Sequence, residues 1–73
     1  MIPTSLYAPA RRVYVVFEDG EDECVAIQDT LEPEDANDFR ETWQDARLKP
    51  IVSVLLTNPQ RNIIYAQYDF PVE

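Results

Sequence analysis

Hydrophobic and polar positions alternate along four short segments of the chain, which is the pattern of half-buried β-strands. Residues 11–18 form the first segment, and three apolar side chains share one of its predicted faces: Val13, Val15 and Phe17. Alternation resumes over residues 24–28, after a polar stretch that contains Gly20, the one glycine of the chain. Ile27 of this segment is expected in the core with Val15 and Val54, or its alternate-face neighbour if the strand register slips by one. The two segments therefore predict an antiparallel hairpin with its turn around Asp19 and Gly20.

Residues 30–48 change to the spacing of a helix. Pro33 suits a first helical turn and Pro50 cannot continue a helix, so the two prolines bound this segment. Four side chains recur three, four and three residues apart on one stripe, which we expect to face the core: Ala36, Phe39, Trp43 and Ala46. A single amphipathic helix is expected here.

Two further strands are predicted after the helix, over residues 51–57 and 62–69, with a turn initiated by the Asn58-Pro dipeptide between them. Tyr65 and Tyr68 fall on opposite faces of the last strand, so we expect one in the core and the other exposed. The element order ββαββ predicts an α+β fold, in which a four-stranded, mostly antiparallel sheet carries one helix on one face.

Residues 1–10 read MIPTSLYAPA and fit neither period. They include two prolines and no charge, so we predict an extended N-terminal arm ahead of a single globular α+β domain at residues 11–73. The apolar side chains of the arm have no evident place in a two-layer core, and two arginines follow them. We interpret five residues as a partner-binding set, with a loosely packed terminus as the alternative: Ile2, Leu6, Tyr7, Arg11 and Arg12.

Composition narrows the classes of function. The 73 residues include 14 Asp and Glu against 6 Lys and Arg, a net charge of −8, so direct binding to nucleic acid is not expected. The chain has no histidine, one cysteine and one glycine. It therefore lacks the residues of a Ser-His-Asp triad, a zinc cluster or a glycine-rich phosphate loop. We expect a protein that is not an enzyme and uses no cofactor or metal.

The sequence also indicates the compartment. Its longest apolar run, residues 51–56, is too short to span a bilayer, and the N-terminal residues lack the basic start and long apolar stretch of a signal peptide. We therefore expect a cytoplasmic protein without membrane contact. Cys24 cannot form an internal disulfide and is predicted to be a small buried apolar residue.

Acidic residues are concentrated between positions 18 and 45. That stretch holds twelve of them against one base, a local charge of −11, and the rest of the chain is at +3. Four lie in one line on the predicted helix, opposite the apolar stripe, and are called the acidic row: Glu34, Asp38, Glu41 and Asp45. The acidic row either solubilises the protein or forms a surface that repels or imitates nucleic acid.

In its size, its acidity and its MIPTSLYAPARR arm, the chain resembles the small bacteriophage-encoded regulators that bind the host RNA polymerase, of the kind known from a Xanthomonas phage. The resemblance implies binding to the large polymerase subunits near the RNA exit channel, in the cytoplasm of the host bacterium. It further implies inhibition of initiation through displacement of the sigma factor, and antitermination through hindered formation of terminator hairpins. We expect a monomer in the free state.

Two other classes of function are compatible with the same residues. The acidic row would allow a nucleic-acid mimic that inhibits a host restriction or CRISPR nuclease. Its charges, spaced by about 5.5 Å along the helix, are sparser than the roughly 3.4 Å between phosphates of one DNA strand. A structural or assembly adaptor is the third class.

Overall fold

The computed structural model describes residues 11–71, and its elements follow the predicted order ββαββ. They are β1 (Arg12–Phe17), β2 (Asp22–Ile27), α1 (Pro33–Arg47), β3 (Ile51–Thr57) and β4 (Ile64–Asp69). The strand order is β2-β1-β3-β4, and each neighbouring pair is antiparallel. The predicted α+β class is confirmed. The strand order, which the sequence left open, makes β2 and β4 the edges of this sheet.

The β1–β2 hairpin turns where the sequence predicts. Gly20 has φ +91°, a left-handed conformation that glycine adopts without strain, and its N–H donates to the carbonyl of Phe17 at 3.0 Å. Phe17 donates its own N–H to the carbonyl of Glu21 at 2.7 Å. β2 begins at Asp22, two residues before the predicted start, because Asp22 already pairs with Val16.

Both ends of α1 are closed by local contacts. At its start the N–H of Glu32 donates to the carboxylate of Asp35 at 3.4 Å, which is one half of a capping box. At its end Leu48 takes a left-handed conformation with φ 55°. The side-chain oxygen of Gln44 accepts the N–H of Ile51 at 2.9 Å and so ties the last turns of the helix to the start of β3.

The core lies between α1 and one face of the sheet, and the central strands supply most of it. Six of its buried side chains come from β1 and β3: Val13, Val15, Phe17, Ile51, Val54 and Leu56. Ala36 of α1 is buried against them, and Phe39 and Trp43 pack on the same core while staying partly exposed. The predicted helical stripe is therefore confirmed at these three positions. We call the other face of the sheet, away from α1, the open face.

The predicted stripe is wrong at Ala46, which is exposed. In the last turn of α1 the side chain that reaches the sheet is Arg47, four residues after Trp43, and its Nη2 donates to Glu23 of β2 at 2.8 Å. Positions three and four residues after Trp43 both lie near the inner face of a helix. Arg47 takes the inner position because Glu23 on β2 gives its side chain an acidic partner, which the side chain of Ala46 could not use.

Two predictions for β2 are also wrong, and a β-bulge explains the first. Val25 has no partner in the β1–β2 register, so it is the extra residue of the bulge. Beyond it the alternation of faces is inverted, so Ile27 is 65% exposed and its alternate-face neighbour Ala26 packs on the core, as the register-slip alternative expects. Cys24, predicted to be buried, is exposed because it lies on the edge strand β2 and, paired with Tyr14, faces away from α1.

Candidate interaction surface

At one end of the sheet, an arginine of the predicted partner-binding set packs on an aromatic ring. Arg11 directly precedes β1, and its guanidinium carbon lies 3.8 Å from the centroid of the Tyr65 ring on β4, a cation–π contact. Its Nη1 donates to the carbonyl of Asp29, which follows β2, at 3.2 Å. The Arg11 side chain is therefore held by one contact with β4 and one with the residues that follow β2.

Arg12 lies in a row of paired residues that crosses the sheet at the same end. It pairs with Ile27 of β2 and with Thr57 of β3, and Thr57 pairs with Ile64 of β4. Directly paired residues of antiparallel strands share a face, and Val13, the next residue of β1, faces the core. The row therefore belongs to the open face, with Arg12 between two exposed isoleucines.

These residues form a cluster that we call the basic–apolar patch: Arg11, Arg12, Ile27, Ile63, Ile64 and Tyr65. Four of the five exposed large hydrophobic residues in the described chain belong to it, and the fifth, Leu48, lies elsewhere. Single exposed apolar residues are ordinary, whereas a cluster of them beside charged groups is typical of a protein interaction site. The patch is thus the strongest candidate for a partner contact within residues 11–71.

The sequence predicted the two arginines of the patch but not its apolar members. Alternation placed Ile27 in the core, because the bulge at Val25 leaves no signal in the pattern. It also could not choose between the two tyrosines of β4. Tyr68 packs against the core and donates its hydroxyl to the carbonyl of Leu31 at 2.9 Å. Tyr65 is 43% exposed, so the expectation of one tyrosine in the core and the other exposed is confirmed.

The loop between β3 and β4 positions the apolar end of the patch. Asn58 is buried, and its side-chain oxygen accepts the N–H of Asn62 at 3.0 Å and that of Ile63 at 3.1 Å. Arg61 has φ 61°, and its guanidinium lies 4.2 Å over the ring of Tyr14 on the open face. The loop therefore folds back over the sheet and leaves Ile63 just before the start of β4.

Ion pairs compensate part of the negative charge of the β1–β2 hairpin. Four of its carboxylates pair with three bases: Asp19 and Glu21 with Lys49, Glu23 with Arg47, and Asp22 with Arg61. The hydrogen bond from Lys49 holds the pKa of Asp19 below its ordinary value, and the same bond raises the pKa of Lys49. The bond to Asp22 likewise raises the pKa of Arg61.

Across residues 11–71, no three His, Cys, Asp or Glu side chains are grouped to hold a metal ion.

Arg11 and Arg12 differ from those three bases. Neither has a carboxylate oxygen within 4.0 Å in the described part of the chain. The Nε of Arg12 is moreover buried there without a hydrogen-bond acceptor. Arg40 shares both properties, but its guanidinium stacks 4.6 Å over Phe70, outside the patch. The patch therefore offers two positive charges that the described chain does not neutralise.

The acidic row lies on the other side of the molecule. All four of its side chains are exposed on α1, and between residues 11 and 71 none has a Lys or Arg nitrogen within 4.0 Å. α1 packs on the core face of the sheet, whereas Arg12 and Ile64 belong to the open face. The sheet thus lies between the uncompensated acidic row and Arg12, an uncompensated base of the patch.

Three residues of the predicted partner-binding set, Ile2, Leu6 and Tyr7, lie outside the described residues, and the described chain starts within the patch, at Arg11. Within residues 11–71 no helix has the length and apolar character needed to cross a membrane. Comparisons with protein-family models, with curated proteins and with solved structures gave no match.

Proposed function

We propose that this protein is a non-enzymatic regulator that binds bacterial RNA polymerase in the cytoplasm of a phage-infected host. It acts as a monomer, inhibits initiation by displacing the sigma factor and promotes antitermination. The observation that supports this proposal is that the sheet separates Arg12 and Ile64 of the basic–apolar patch from the acidic row. The first surface suits a protein contact and the second disfavours nucleic acid.

The patch has the residue types of a binding hot spot. Arginine and tyrosine are enriched among residues that dominate interface energies, and here the 3.8 Å stacking contact holds Arg11 and Tyr65 together before binding. The isoleucines on either side of Arg12 add apolar area that a partner would bury. Carboxylates of a large polymerase subunit would supply the acceptor that Nε of Arg12 lacks within residues 11–71, and a negative charge for both arginines.

The N-terminal residues extend the proposed contact, because they lead directly into the patch along the chain. Ile2, Leu6 and Tyr7 would be its apolar anchors, and Arg11 and Arg12 would be its charged partners. Exposed charges are screened over about 8 to 10 Å at ordinary ionic strength. The arginine contribution to binding is therefore expected to fall as salt is added, whereas the apolar contribution is retained.

The acidic row accounts for the proposed antitermination. A protein bound near the RNA exit channel with this face toward the transcript would repel RNA phosphates over the same screening distance. Repulsion there hinders the folding of a terminator hairpin, since a hairpin brings two phosphate backbones into a small volume. The row acts by position and charge and forms no bond with the RNA.

Titration of core RNA polymerase from a Xanthomonas host tests the proposal. We expect the double variant Arg11→Ala and Tyr65→Ala to bind at least about thirtyfold more weakly than the wild type, the equivalent of one hot spot of roughly 2 kcal/mol. Leu48→Ala is the control, since Leu48 is 89% exposed and lies outside the patch. A wild-type protein that forms no complex contradicts the proposed function, and equal affinities of wild type and double variant place the contact elsewhere.

A second candidate function is supported by the acidic row alone. Four exposed carboxylates without basic neighbours in the described range would occupy the basic cleft of a host restriction or CRISPR nuclease. In this alternative the basic–apolar patch has no role, because it would be repelled by such a cleft. The polymerase function therefore requires the basic–apolar patch for binding, whereas the nuclease function requires the acidic row.

A further inference from the structure

β4 is an edge strand, and none of residues 11–71 pairs with its outer side. Phe70, just after the strand, donates its N–H to the carbonyl of Val52 at 2.8 Å, toward the neighbouring strand β3. Successive backbone groups of a strand point in alternate directions. The N–H and C=O groups of Asp69 and Gln67 therefore point away from β3, where another strand could pair with them.

The two edges of the sheet differ in how they are protected. The β2 edge carries Asp22 and Glu23, which are held in ion pairs, and a bulge at Val25. Charged side chains and bulges are the usual devices against strand addition. β4 has the sequence IYAQYD, with one charged residue, Asp69, at its last position. Its register irregularity lies at Tyr65, so residues 66–69 pair regularly with β3.

The start of β4 indicates what kind of strand fits this edge. Arg11 lies over Tyr65 and has no carboxylate within 4.0 Å in the described part of the chain. A strand beside β4 that places an acidic side chain near Arg11 and apolar side chains near Ile64 would be complementary to it in charge and polarity. A second copy of this chain is disfavoured, since each copy carries a net charge of −8.

From these observations we infer that β4 is the docking edge for an extended segment of the partner, rich in acidic and apolar side chains, which adds to the sheet as a fifth strand. This inference rests on the proposed function and specifies how the polymerase would be held. Main-chain hydrogen bonds provide affinity in this mode of recognition, and alternate side chains provide specificity. The basic–apolar patch then receives the side chains at one end of the added strand.

Two substitutions at one position isolate the backbone contact. Gln67→Pro removes an outward N–H without removing a bond to β3, and proline is tolerated on an edge strand in this orientation. Gln67→Thr keeps the N–H but loses the same side-chain hydrogen bond to Asp69, 2.9 Å long, as the proline variant does. Cys24→Pro is a further control, because it places the same block on the β2 edge.

Titration of the same core polymerase with the full-length variants gives the readout. We expect Gln67→Pro to bind at least about tenfold more weakly than the wild type, while Gln67→Thr and Cys24→Pro bind like the wild type. Hydrogen exchange on the wild-type protein is the second measurement. We expect the polymerase to protect the amides of Gln67 and Asp69, and this readout stands even if the proline variant fails to fold.

Equal binding by the proline and threonine variants, or unprotected amides at both positions in the complex, would overturn the inference while leaving the proposed function intact. Absence of any wild-type complex would overturn both. Self-association of the free protein that Gln67→Pro abolishes would identify a second copy as the occupant of the edge and would also overturn the inference.

Discussion

Asn58 shows how one side chain shapes a loop that carries part of the candidate surface. Its side-chain oxygen accepts two backbone N–H groups of the β3–β4 loop, at 3.0 and 3.1 Å, and its side-chain nitrogen donates to Asn62. Asn58 is buried, so its own end of these bonds is shielded from water. The loop leads directly into Ile63 and Ile64 of the basic–apolar patch.

Replacing Asn58 by alanine is expected to destabilise the protein by about 1 to 3 kcal/mol, because two N–H groups lose their acceptor in a partly buried loop. Thermal unfolding should then show a midpoint lower by roughly 4 to 8 °C for each kcal/mol. Asn58→Asp keeps the acceptor oxygens and should lose less, and Gln60→Ala, at an exposed position of the same loop, is the neutral control. An alanine variant as stable as the wild type would show that the loop does not depend on this side chain.

Among the structural elements, α1 has an unusual ending. Leu48 closes the helix with φ 55°, a conformation that a leucine reaches only at a cost of about 1 kcal/mol or more. The side chain is 89% exposed, so burial does not offset that cost. Glycine is the ordinary residue at this position of a helix.

Leu48→Gly is therefore expected to stabilise the protein by up to about 1 kcal/mol, the relief of strain less the extra freedom of glycine in the unfolded chain. Differential scanning calorimetry of wild type and variant measures this. Ala46→Gly is the matched control, since it lies inside the last helical turn and should destabilise by about 1 kcal/mol. A glycine variant at position 48 that melts below the wild type would contradict the strain argument.

At the scale of the whole molecule, the unpaired acidic row and the unpaired Arg12 lie on different surfaces, which the net charge of −8 does not reveal. The acidic residues of the hairpin are paired with Lys49, Arg47 and Arg61, which leaves the acidic row as an uncompensated group on α1. The opposite face presents Arg12, also without a carboxylate neighbour in the described residues. A partner would meet either surface without the other one interfering.

The quadruple substitution of the acidic row by Gln and Asn (E34Q, D38N, E41Q and D45N) distinguishes the candidate functions. If the protein regulates polymerase, the variant should keep its affinity for core enzyme within about threefold, because exposed charges of one sign add little to a remote contact, and should lose terminator read-through in transcription assays. If it imitates nucleic acid, the variant should lose inhibition of the nuclease.

The fold of the quadruple variant provides the internal control. Like charges at these spacings repel by a few tenths of a kcal/mol per pair, so the variant should melt at or slightly above the temperature of the wild type. Full read-through activity in the variant would remove the proposed repulsion of RNA by the acidic row.

The sequence by itself determined the element types, their order and the acidic row on the helix. Each of these follows from a local signal: a period of two or 3.6 residues, a glycine at the hairpin turn, and prolines at the ends of the helical segment. Because such signals act between residues close in the chain, they could be predicted without knowing which strand lies beside which.

The tertiary structure alone decided the strand order, the bulge that moves Ile27 to the open face and the exposure of Cys24. It also decided that Arg11 meets Tyr65 and that four carboxylates of the hairpin pair with three bases. The physical reason is that strand register and ion pairing are set by contacts between residues far apart in the chain. The hydrophobic period does not encode which of these contacts form, since a shift of one residue in register exchanges the two faces of a strand.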